Sequence, residues 1–121
     1  DARPRPVAPH PYPTTYSTVL SMHEHTSLDD LTATPHARPF DAGEPHVVRL
    51  ALAAGERVPE HTHPERQIVL FLREGRLEVD LAGETHTLDE GDVVRFDGRK
   101  EVSPHALEDS EALLVLARRA G

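Results

Sequence analysis

The feature that most constrains the fold of this chain is a series of short apolar runs, the clearest with a two-residue period, that begins after Pro45. A two-residue period places apolar side chains on one face of a β-strand, and no segment shows the longer period of an amphipathic helix. Residues 82–83 (Ala-Gly) form a plausible tight turn between two of the runs. The predicted strands are residues 47–52, 68–72, 77–81, 84–88, 93–96 and 112–116. The pattern indicates an all-β sandwich or barrel of roughly seven or eight strands.

The composition of the chain changes near its only methionine, Met22. Residues 1–21 contain five prolines followed by a Thr/Ser-rich stretch, which favours extended, solvated chain. We therefore expect residues 1–22 to be a disordered or peripheral arm, or a non-native extension, and residues 23–121 to be a single domain. We also hypothesise that the natural chain starts at Met22. Beyond it, Ser27 can cap a short helical turn, and residues 32–45 suggest a loop with one edge strand.

The charge balance excludes some classes of partner. The 121 residues include 21 acidic and 13 basic residues, a formal net charge of −8, and no basic cluster. Nucleic acids and anionic membranes are polyanions that bind basic patches, so neither is an expected partner. The sequence also shows no apolar run of about 20 residues and no signal-peptide core, which predicts a soluble, cytoplasmic protein. The acid-rich, lysine-poor composition is typical of a salt-tolerant, halophile-like protein. A GC-rich genome is the alternative explanation for this composition.

Several kinds of chemistry are absent from the sequence. With no cysteine, disulfides, thiolate nucleophiles and cysteine-based zinc sites are excluded. There is no Gly-x-Ser-x-Gly elbow and no glycine-rich phosphate loop, so no catalytic residue can be named. Only three aromatic residues follow residue 22, which favours a small polar or carboxylate-bearing ligand. An arginine pointing inward from a strand would anchor such a carboxylate, and the candidates are Arg49, Arg73, Arg76 and Arg95.

His61 and His63 are the strongest candidates for chemistry among the nine histidines. They lie two residues apart, so in extended chain both imidazoles leave the same face, which is a common beginning of a divalent-metal site. His86 is in phase with Leu88 and is interpreted as a core or edge histidine, with a hydrogen-bonding role behind a metal ligand as the alternative. The remaining loop-region histidines are expected to be ordinary exposed residues: His10, His23, His25, His36 and His46.

The stretch from Gly55 to Gly75, with its His-x-His pair and following proline, resembles the first signature of the cupin superfamily. Residues 88–96, around Gly91-Asp92, are similar to the opening of the second signature, and residues 106–110 are similar to its usual ending. The resemblance covers about residues 45–118. It implies a cupin-type double-stranded β-helix, that is, a jelly-roll barrel, with metal ligands inside. It also implies a homodimer, because small cupins commonly pair.

The resemblance implies a ligand set of His61, His63, Gln67 and His105 for a divalent ion such as Fe, Mn, Ni or Zn. Gln67 stands where many cupins have glutamate and offers a neutral amide oxygen, with Glu65 as a nearby substitute. Val102 occupies the usual place of the fourth ligand, a histidine. His105 comes three residues later, an odd displacement that turns it to the opposite face unless the strand is bulged.

Two functions stay open on this sequence. In the first, the barrel holds a divalent metal and acts on a small polar metabolite. In the second, the metal site is degenerate and the barrel is a non-catalytic module that binds or senses a small molecule.

Overall fold

The computed structural model describes residues 24–119, so the predicted arm at residues 1–22 lies outside the described part. The described chain forms eight strands in two antiparallel sheets, as the alternating pattern predicted. The five-stranded sheet has the order β1-β2-β8-β3-β6, and the three-stranded sheet has the order β5-β4-β7. The strands are β1 (His36–Ala37), β2 (His46–Leu52), β3 (Arg66–Glu74), β4 (Arg76–Leu81), β5 (Glu84–Asp89), β6 (Val93–Asp97), β7 (Val102–Ala106) and β8 (Ser110–Arg118).

The six strands predicted individually are all present, each extended by one to four residues. The edge strand expected in residues 32–45 is β1, and Ser27 caps a single 3-10 turn, Leu28–Asp30. The turn at Ala82 and Gly83 is also confirmed, because both residues have the positive φ that a tight hairpin turn needs. Within residues 24–119 no helix is long and apolar enough to cross a membrane.

Strand β7 is the element that the pattern did not define, because it contains Pro104, which cannot donate a backbone hydrogen bond. The carbonyl of Pro104 accepts from the Val58 N–H, on the side away from β4. In an antiparallel strand the N–H and C=O of one residue point the same way, so the missing donor also faces the segment near Val58. That segment is irregular, and the β4–β7 ladder is left intact.

The core lies between the two sheets. Leu70 and Leu72 of β3 are fully buried, as are Leu77 and Val79 of β4. These residues fix the orientation of both sheets: even-numbered positions of β3 and odd-numbered positions of β4 face inward. The inward faces of β2, β8 and β6 continue this layer through Leu50, Leu52, Ala112, Leu116 and Phe96.

The outer faces carry most of the charge. Arg49 is buried, yet it lies on the outer face of β2, where it pairs with Glu111 (2.8 Å) and donates to the carbonyls of Leu31 and Ala33. It ties the segment around residues 31–33 to the sheet. Arg49 therefore does not anchor a ligand inside the barrel, although Arg66 reaches the border of the cavity described next.

Candidate functional site

A cavity of about 560 Å³ opens at one end of the barrel, between the five-stranded sheet and the segment that precedes β3. Its apolar wall consists of inward residues of the sheets and this segment: Val48, Val58, Pro59, Leu114 and Leu116. Its polar lining consists of His36, His46, Glu60, His61, His63 and Arg66. Four imidazoles thus share one largely apolar hollow of the size that binds small molecules in proteins.

His61 reaches the cavity because residues 55–61 run alongside β7. The backbones of His61 and Val102 exchange two hydrogen bonds, of 3.2 and 3.0 Å. Val102 is 4 % exposed and belongs to the core, so its partner His61 also faces inward. The Nδ1 atom of His61 lies 2.8 Å from the carbonyl oxygen of Pro59. With Nδ1 donating there, the Nε2 lone pair is free, which is how a metal-binding imidazole is usually oriented.

His63 follows on the same side, with its ring centroid 4.9 Å from that of His61 and the two planes nearly perpendicular. The backbone N–H of His63 donates to the carbonyl of Gly98 (2.7 Å), and the Gly98 N–H donates to the backbone carbonyl of Arg66 (2.9 Å). A Cβ at position 98 would collide with the backbone oxygens of both His63 and Arg66. Gly98 is therefore a positioning residue for the His63 loop, which the sequence pattern did not single out.

His36 and His46 come from the opposite wall. His46 begins β2 and lies in register with Leu116, and His36 on β1 lies in register with Leu50, which places both histidines on the inward face. His36 is exposed there, as expected from the sequence, whereas His46 is half-buried. The sequence carried a signal for His46, because it is in phase with Val48, Leu50 and Leu52. It carried none for His36, since a two-residue strand has no detectable period.

The surroundings lower the pKa of three of these imidazoles, those of His36, His46 and His63. Burial lowers the pKa of His63, and the neighbouring His61, His46, Arg66 and His36 lower it further. Burial and His61 lower the pKa of His36. The pKa of His46 is lowered first by burial and then by Arg38 and Arg66. Neutral imidazoles retain a lone pair for a cation or a hydrogen bond at pH 7.

Gln67 does not join this group. It lies in register with Asp97 and Ala117, on the face of β3 opposite to Ile68, and it borders a separate hollow with Lys100. The nearby alternative, Glu65, is exposed. The apolar run of residues 68–72 has no polar side from which its inward face could be read, so the sequence could not settle the orientation of Gln67.

His105 lies on the outer face of the three-stranded sheet. β7 pairs with β4 without a bulge, so Val102, Pro104 and Ala106 face inward and His105 faces outward. Its Nδ1 lies 3.4 Å from Glu78, next to an Arg57–Asp80 ion pair of 3.1 Å. The expectation that His105 turns inward is not met, and the alternation argument against it holds. His86 shares the face of Leu88 but lies at the open sheet edge, 3.3 Å from Glu84.

The ligand set implied by the resemblance therefore does not fit a metal ion, because two of its four members point away from the cavity. Within residues 24–119 no three His, Asp or Glu side chains converge on one point as they stand. The pair His61 and His63 fits the nitrogen donors that borderline divalent cations prefer. Any further ligand must come from elsewhere in the cavity.

Comparison with known proteins agrees with this architecture. The family model of the cupin domain matches residues 48–117. Polyketide synthase CurC of Streptomyces cyaneus is 43 % identical over 63 residues, which are 50 % of this chain and 40 % of that protein. The chain thus matches less than half the length of this relative.

Solved structures show the same fold. KdgF from Halomonas sp. superposes with a TM-score of 0.65 at 21 % identity, covering 75 % of this chain and 87 % of that one. The cupin domain of Schizosaccharomyces pombe Cnp3 superposes with a TM-score of 0.70 at 14 % identity, covering 78 % and 69 %. The two sheets, the inward His-x-His pair and the match over residues 48–117 define a jelly-roll barrel of the cupin class. The chain belongs to the cupin family.

Proposed function

We propose that this cupin binds a small organic molecule in its barrel cavity, beside a divalent metal ion held by His61 and His63. The observation that carries the proposal is the placement of these two imidazoles side by side on one wall of a 560 Å³ cavity that is otherwise mostly apolar. A concave apolar pocket with a few convergent polar groups is the usual form of a small-molecule site.

The cavity also indicates the class of molecule. Val48, Val58 and Leu114 offer an apolar surface to a carbon skeleton, and the imidazoles offer hydrogen bonds or metal coordination to its oxygen atoms. Polyketide-derived compounds combine an apolar skeleton with carbonyl and hydroxyl groups. The 43 % identity with a protein named polyketide synthase CurC supports testing them first.

The chain's own residues would prepare the site in two ways. The Pro59 carbonyl fixes the ring of His61, and Gly98 fixes the backbone of His63. Val58, Leu114 and Leu116 give the cavity an apolar wall, and polar interactions are stronger in such surroundings. A bound divalent ion would supply a Lewis acid for a ligand carbonyl.

The second candidate is a binding or sensing module without metal. The presence of Val102 beside His61, and of Ile68 rather than Gln67 on the inward face of β3, favours it. In that case the four imidazoles act only as hydrogen-bonding groups for the organic ligand.

Elemental analysis of tag-free protein, beside the His61→Ala/His63→Ala variant, separates the two. One metal ion per chain in the wild type and none in the variant supports the first function. If wild-type protein retains no Fe, Mn, Ni or Zn after soaking, the metal is excluded. A thermal shift of the metal-free protein with 2,4-pentanedione, a hydroxylated naphthalene or citrate would then support the second function.

A further inference from the structure

We propose that a second hollow, separate from the histidine cavity, binds a small anion that carries a phosphate group or carboxylates. This hollow has a volume of about 750 Å³ and lies between the β4–β5 hairpin and β6, the last strand of the five-stranded sheet. The juxtaposition that carries the proposal is that of Arg95 and Lys100, which border the same hollow. The two cavities share no lining residue, so the proposal does not depend on the proposed function.

Arg95 differs from the other strand arginines that were candidates for anchoring a carboxylate. Arg49, Arg73 and Arg76 are each paired with a carboxylate of the chain, at 2.8, 2.9 and 3.2 Å. Arg95 is exposed, and no carboxylate in the part of the chain that the structure describes lies within ion-pair distance of it. Its guanidinium, which suits bidentate binding of a carboxylate or phosphate, is therefore available to a ligand.

Lys100, the only lysine of the chain, lies on the loop that follows β6. Its backbone N–H donates to the carbonyl of Asp97 (3.1 Å), and the carbonyl of the next residue, Glu101, accepts from the N–H of Ala82 (2.9 Å). These hydrogen bonds attach the loop to the β4–β5 turn, so backbone contacts hold the two walls of the hollow together. Among residues 24–119 no carboxylate pairs with the Lys100 ammonium, which is exposed.

The acidic residues of the lining do not cancel this positive charge. Asp97 is shared by two guanidiniums, those of Arg99 (2.8 Å) and Arg119 (2.7 Å). Glu84, the other acidic residue of the lining, lies 3.3 Å from His86. The hollow therefore has a local excess of positive charge on a chain whose formal net charge is −8, and such a concave patch attracts anions.

The lining also indicates the class of ligand. An arginine fork and a lysine point charge together suit the oxygen atoms of a phosphate or a carboxylate. Gln67, which does not join the histidine cavity, borders this hollow and offers an amide donor to the same oxygens. The volume lies in the range of small-molecule sites, and the acidic remainder of the chain disfavours a nucleic acid.

The test is a calorimetric titration of metal-free, tag-free protein at low ionic strength with two probes, inorganic phosphate and succinate. Three proteins are compared: the wild type, Arg95→Gln/Lys100→Gln, and the control Arg76→Gln/Arg118→Gln. The control removes the same two charges from exposed side chains that do not border the hollow. We expect one site per chain in the wild type and the control, and affinity at least about tenfold weaker in the hollow variant. The probe that binds more tightly identifies the preferred group.

Three results would overturn the proposal. Equal weakening in the hollow variant and the control would show that net charge alone governs binding. Neither probe binding to the wild type would show that the hollow takes no small anion. Backbone-amide NMR with the tighter probe should shift the signals of Gly83 and Lys100, and shifts confined to His61 and His63 would place the anion in the other cavity. Urea denaturation of both variants, whose four replaced side chains are exposed, checks that they are folded.

Discussion

The cavity wall and the outer face of the three-stranded sheet both present histidine, yet they place it in opposite surroundings. In the cavity, His36, His46, His61 and His63 lie around apolar side chains, and Arg66 at the cavity border is paired with Glu44. On the outer face, His105 lies among the charged side chains of Glu78, Asp80 and Arg57. The difference teaches that the side of the strand, more than spacing along the chain, decides what a histidine can do in this fold.

The largest expected effect concerns stability on the two sides of one strand. Leu70→Ala removes a fully buried side chain from the inward face of β3 and should cost about 2–5 kcal/mol in the free energy of unfolding. Phe71→Ala, next to it on the outer face and 37 % exposed, should cost clearly less. Urea denaturation of both variants measures the two costs. Equal costs would show that the two faces are not assigned as described.

Gly98→Ala should produce the next largest effect. Its methyl group would push against backbone oxygens of His63 and Arg66, which cannot move without breaking the hydrogen bonds that hold the loop. We expect about 1–3 kcal/mol of destabilisation, together with weaker Zn²⁺ binding through the displacement of His63. Urea denaturation and calorimetry on the same preparation report both. If the free energy of unfolding and the Zn²⁺ affinity are both unchanged, Gly98 does not position His63.

Val102→His tests whether the inward position opposite His61 can still serve as a ligand position. An imidazole there should strengthen Zn²⁺ binding by about tenfold or more, while costing some stability in the metal-free protein. The matched control is Thr87→His, which adds an imidazole to the exposed outer face in register with Glu78. Equal affinity changes in the two variants would mean that the added histidine acts without regard to the cavity.

The smallest effect is expected for His105→Ala. The His105–Glu78 contact is long and partly exposed, so its loss should change the free energy of unfolding by less than about 0.5 kcal/mol. Zn²⁺ affinity should not change. A loss of metal binding would show that His105 is a metal ligand, and it would contradict the outward orientation of the His105 side chain on β7.

The fold could be predicted because the alternation and turn chemistry agree along most of the chain. Residues 77–81 alternate between apolar and polar side chains, and the turn at Ala82-Gly83 fixes their pairing with residues 84–88. β7 was not predicted because a proline such as Pro104 argues against a strand. Only the tertiary structure shows that the side of Pro104 without an N–H faces an irregular segment.

The candidate site could be predicted only in part. The His61/His63 pair was evident because two-residue spacing determines a shared face. Gln67 could not be oriented because both sides of β3 are apolar. The contribution of His36 depends on pairing between β1 and β2, residues far from the His-x-His pair in sequence, and no local pattern encodes that contact.

The most direct test is to observe the histidine side-chain nitrogens by NMR while Zn²⁺ is added to ¹⁵N-labelled, metal-free protein. A metal ion held by His61 and His63 predicts that the ring signals of these two histidines shift together and saturate at one Zn²⁺ per chain. The ring signals of His86 and His105 should stay in place. Unchanged ring signals of His61 and His63, or a shift of His105 with them, would contradict the proposed metal site.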